Sequence, residues 1–66
     1  MKFSADFFTA SELIQELSDT VGSWQLLQMS EFDNATHNEL NKVKDLLNQA
    51  SVYFEQLGIY WKYREV

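Results

Sequence analysis

A chain of 66 residues and 7.8 kDa is at most one small domain, and at that size folding hides only about 60% of the surface the unfolded chain exposes. It has no cysteine, which excludes disulfides, thiol nucleophiles and zinc–thiolate centres, and its one histidine cannot furnish the nitrogen ligands of a transition-metal site. Five Lys and Arg against ten Asp and Glu give a net charge of −5, so the chain gains no general counterion-release affinity for nucleic acid.

Charge is uneven along the chain. Residues 1–41 hold seven acids and one base, whereas 42–66 hold three acids and four bases. A protein of this sign is attracted to a basic surface on another protein. No apolar run exceeds three residues, too short for a membrane span or a signal-peptide core. A cytoplasmic location is the expectation. Proline is absent and glycine occurs only at Gly22 and Gly58, a composition that favours long helices over turns.

The first eight residues read as an arm. Thr9-Ala10-Ser11-Glu12 then forms a capping-box pattern, with Phe8 and Leu13 placed as a hydrophobic staple, which predicts a helix beginning at Ala10. Leu13, Ile14, Leu17, Val21 and Trp24 follow at helical spacing. Glu12, Glu16 and Asp19 line a neighbouring strip. Ser18 to Ser23 is poor helix material, and Leu26 and Met29 leave the stripe. Either the helix bends near Gly22 or those two residues face something else. The first helix is placed at about residues 10–29 and the turn at about 30–35.

A second helix is predicted over about residues 36–62, with Ser30, Asn34 or Thr36 as its cap. Leu40, Val43, Leu46, Leu47, Ala50, Tyr53, Phe54, Leu57, Tyr60 and Trp61 keep a three-to-four spacing and span about 160° of the helix, wider than a two-stranded seam needs. Gly58 could end this helix in a Schellman motif with Ile59. Tyr60 and Trp61 continue the stripe, however, and favour a helix that runs through before a short tail. The fold class expected is all-α: an antiparallel helical hairpin with an N-terminal arm, assembling into a helical bundle.

No constellation for catalysis, cofactor binding or metal binding emerges. His37 and Glu39 point in different directions on a helix, and a solvated first-turn histidine is the simpler reading. Asp33-Asn34-Ala35-Thr36 lacks the alternating ligands and mid-loop glycine of a calcium loop. Glu12 and Glu16 lie one turn apart, but paired acid–base carboxylates need a pocket that separates their pKa values. Trp61 and Tyr63 beside Lys62 and Arg64 could stack single-stranded nucleic acid, yet two cations within an acidic chain make a poor groove.

The ten aromatics exceed what one hairpin core needs. Phe54 and Trp24 with the leucines make the expected core. Leu26, Met29, Phe32, Tyr53, Tyr60, Trp61 and Tyr63 are then candidates for contact with a partner, with Glu12, Glu16 and Asp19 steering a basic surface toward it. The function expected is that of a non-enzymatic protein-interaction module: an inhibitor, adaptor or assembly chaperone that occupies a partner's surface, itself pairing as a homodimer or binding another protein. The alternatives are a purely structural four-helix homodimer and an acidic mimic of nucleic-acid phosphates.

Overall fold

A computed structural model describes residues 3–27 and 31–65. Within them the chain forms two antiparallel helices, α1 (Phe3–Leu27) and α2 (Asn34–Arg64), packed side by side as a hairpin. The hairpin is a rod 51 Å long and 16 Å by 12 Å across.

The seam is written in sevens. Ser4, Ser11, Ser18 and Gln25 recur along α1, and His37, Lys44, Ser51, Gly58 and Glu65 recur along α2. Between them stand Phe7, Ile14 and Val21 on one helix and Leu40, Leu47, Phe54 and Trp61 on the other. All are buried or half-buried. A seven-residue spacing keeps such a row facing its neighbour, and here one of the two rows is mostly small or polar. The helices close on each other at two of these small residues. Ser11 Oγ donates to the Ser51 carbonyl at 2.9 Å, and Ser51 Oγ donates back to the Ser11 carbonyl at 3.2 Å. At Gly58 the Phe8 ring lies so near that a Cβ there would stand 2.9 Å from it.

Several expectations are corrected. Of the expected arm, residues 3–8 are instead helix, because α1 already begins at Phe3, and residues 1 and 2 lie outside the described residues. Thr9 and Glu12 are exposed residues in the helix interior, not a capping box. Continuing the helix backward lets Phe7 stack on Phe54, with ring centroids 6.2 Å apart, and lets Phe3 meet Trp61 edge-on at 5.2 Å. The open N–H of Ser4 in the first turn is accepted by the Glu65 carboxylate at 3.0 Å, and its hydroxyl donates to the same carboxylate at 2.6 Å. These long-range contacts outweigh a local start signal. Phe8 accordingly staples nothing at Leu13.

α1 continues through Gly22. It is described as far as Leu27, and the last two residues of its estimated span, Met29 among them, lie outside the described residues. α2 starts at Asn34, with Asp33 as its cap: Asp33 Oδ1 accepts the Thr36 N–H at 2.8 Å. Thr36 is thus a capped residue and not the cap. The Thr36 side-chain hydroxyl first, and this N–H second, hold the Asp33 carboxyl below its ordinary value. At the other end α2 runs through Gly58 to Arg64 as the stripe implied, and no described glycine has positive φ.

Candidate functional site

The hairpin's two flanks differ in chemistry. On one, Gln15 Nε2 and Ser18 Oγ both donate to Asn48 Oδ1 at 3.3 Å, and Gln25 Nε2 donates to Asn41 Oδ1 at 3.1 Å. This flank is sealed by amides. A shallow open groove of about 680 Å³ runs along it past Gly22, His37 and Lys44.

The opposite flank carries the large apolar side chains. On α1, Leu17 and Trp24 lie one step around the helix from the Phe7–Ile14–Val21 row, and Leu13 and Leu27 lie one step further. On α2, Val43 and Leu57 adjoin the Leu40–Leu47–Phe54–Trp61 row, with Leu46, Tyr53 and Tyr60 beyond them. In an antiparallel pair, the two helices' residues on the side away from the amide flank share one face. These side chains are open: Leu17 is 47% exposed, Trp24 48%, Leu46 64% and Tyr53 65%. Val21 is the only hydrophobic side chain that is buried among the described residues. Of the expected core of Phe54 and Trp24 with the leucines, Phe54, Leu40 and Leu47 are half-buried in the seam, whereas Trp24, Leu13 and Leu17 are not core. Small residues set the closest approach of the helices, and these large ones lie outside the seam.

The seven candidate contact residues divide. Tyr53 and Tyr60 belong to the apolar face. Trp61 is half-buried in the seam against Phe3. Phe32 is half-buried beside the His37 ring, centroids 5.7 Å apart, so His37 is a packed residue and not the solvated one expected. Leu26 borders the polar groove, and Tyr63 projects from the outer side of α2; both are highly exposed. Met29 lies outside the described residues. Leu13, Leu17, Trp24, Val43, Leu46 and Leu57 were read as core and are members of the open face. The signal that places them outside is the spacing of Ser4, Ser11 and Ser18: a row of small residues every seven marks the seam, and so displaces the leucines from it.

Glu12, Glu16 and Asp19 form an exposed strip on the side of α1 turned away from α2. The cations of α2 are partly engaged. Lys42 pairs with Glu39 at 3.1 Å, and Arg64 lies 5.3 Å from the ring centroids of both Tyr60 and Trp61. Among the described residues, no group of three or more His, Asp or Glu side chains converges as metal ligands would, and no helix is long and apolar enough to cross a membrane. Comparison with protein-family models, curated proteins and solved structures returns no match to this chain.

Proposed function

We propose that this protein is a non-enzymatic interaction module that works by laying its apolar face against another polypeptide. The observation that supports this most is the pattern of burial: one row of the seam is small or polar, and Leu13, Leu17, Trp24, Val43, Leu46 and Leu57 are exposed on one side. Contiguous apolar surface above a few hundred Å² marks an interaction site. Two adjacent helices present ridges at i, i+3, i+4 and i+7 that suit a complementary helical surface. The acidic strip at Glu12, Glu16 and Asp19, on the outer side of α1, favours approach to a surface with basic residues.

Site-specific photocrosslinking tests the reading. A benzophenone side chain in place of Leu17 or Leu46, introduced in the native host, should give covalent adducts with protein, either this chain or another. The same group in place of Asp45, on the outer side of α2, should not. Adducts in equal yield from all three positions, or from none, would reject the apolar face as a binding surface.

A further inference from the structure

We infer that the occupant of the apolar face is a second copy of this chain, giving a four-helix bundle in which α1 of each copy packs on α2 of the other. This rests on the interaction reading above and names its partner.

Three observations lead there. The first is area. A compact monomer of 7.8 kDa exposes about 4,400 Å², whereas this hairpin exposes 5214 Å². The excess, about 800 Å², equals what one partner contributes to a standard protein–protein interface. The hairpin's 51 Å by 16 Å outline encloses a face of about the same extent. The second is shape. A compact 66-residue domain has a radius of gyration of about 11 Å, and one of twice that length about 14 Å. The hairpin's value is 15.2 Å, so its length suits a bundle of two chains and not a globule of one.

The third is charge, and it selects the arrangement. α1 carries Asp6, Glu12, Glu16 and Asp19 and no base. α2 carries Lys42, Lys44, Lys62 and Arg64 beside Glu39, Asp45 and Glu55. Pairing α1 with its own copy would set two strongly acidic helices side by side. Pairing it with the other copy's α2, where acids and bases nearly cancel, avoids that repulsion and keeps every neighbouring pair of helices antiparallel. The two-fold axis then runs along the rod, and Leu17 of one copy lies level with Leu46 of the other.

Sedimentation equilibrium over the micromolar range should give twice the chain mass of 7.8 kDa. Leu17→Lys with Leu46→Lys should lower it to one chain. Val52→Lys, at a position 50% exposed on the outer side of α2, should leave it unchanged. If Val52→Lys dissociates the assembly and the face variant does not, the surface is wrong. The cysteine-free chain allows the arrangement to be read directly. A mixture of Leu17→Cys and Leu46→Cys chains should oxidise chiefly to the mixed disulfide. Predominance of Leu17→Cys homodisulfides would overturn the pairing of α1 with α2. Single-chain mass for the unaltered protein, with helices intact by circular dichroism, would overturn self-association outright. If that monomer still gives photoadducts with another protein, the interaction reading stands with a different partner; if it gives none, both fall.

Discussion

At the scale of single residues, the two glycines show how one composition can conceal opposite roles. Both sit within helices, where glycine costs about 1 kcal/mol relative to alanine. A methyl group at Gly22 meets nothing within 4 Å, whereas one at Gly58 would stand 2.9–3.0 Å from three carbons of the Phe8 ring. Gly22→Ala should therefore stabilise the fold by about 0.5–1 kcal/mol. Gly58→Ala should lower the melting temperature despite the same gain in helix propensity, because Phe8 must move out of its place against α2. Urea melts of the two variants check the order, and a reversal would show that the ring yields freely. Sequence alone read Gly22 as a bend and set a helix end at Gly58 against the stripe that runs through it. It records a missing side chain but not what stands opposite.

At the scale of elements, α2 was legible nearly end to end because its periodicity spans many turns, and α1 was legible except at its start. The start was missed for a physical reason. A capping box is a signal carried within four residues, whereas the true beginning depends on Glu65, 61 positions away from Ser4. The start of α2 is local and makes a sharper prediction. Asp33 accepts the Thr36 N–H, and its carboxyl titrates below the ordinary value of 3.8. A depressed folded-state pKa means that this cap contributes stability above the unfolded value and loses it as pH falls through the folded one. Asp33→Ala should lower the melting temperature at neutral pH, with the difference from the parent shrinking as pH falls below 3.8. Asp33→Asn keeps an acceptor without a titrating group. Its own melting profile should lack that acid-dependent component, and thermal melts across the acid range compare the three.

At the scale of the whole molecule, the width of the apolar stripe on α2 was readable, and α1 leaves Val43, Leu46, Tyr53, Leu57 and Tyr60 of it exposed. Which apolar residues face inward was not. Leucines are assigned to a core by their hydrophobicity, and only the heptad of Ser4, Ser11, Ser18 with Ser51 and Gly58 turns that assignment around. On the proposed pairing, folding of the hairpin is tied to covering its face. Any association confined to the native state adds to stability by mass action, so the thermal midpoint should rise with protein concentration. A midpoint constant from low to high micromolar would mean that the serine-lined seam holds the hairpin without assistance.

The clasp between Ser4 and Glu65 has a practical corollary. It holds the outer ends of α1 and α2 together at one pole of a 51 Å rod, with the connection around Glu31–Asp33 at the other. Anything grafted to either end, whether a fluorophore, a surface tether or another polypeptide, departs from the same pole. The hairpin would project from its attachment like a two-pronged post, its long sides unobstructed. Donor and acceptor dyes placed at the two ends should report high energy transfer while the prongs are joined, and lose it when they part.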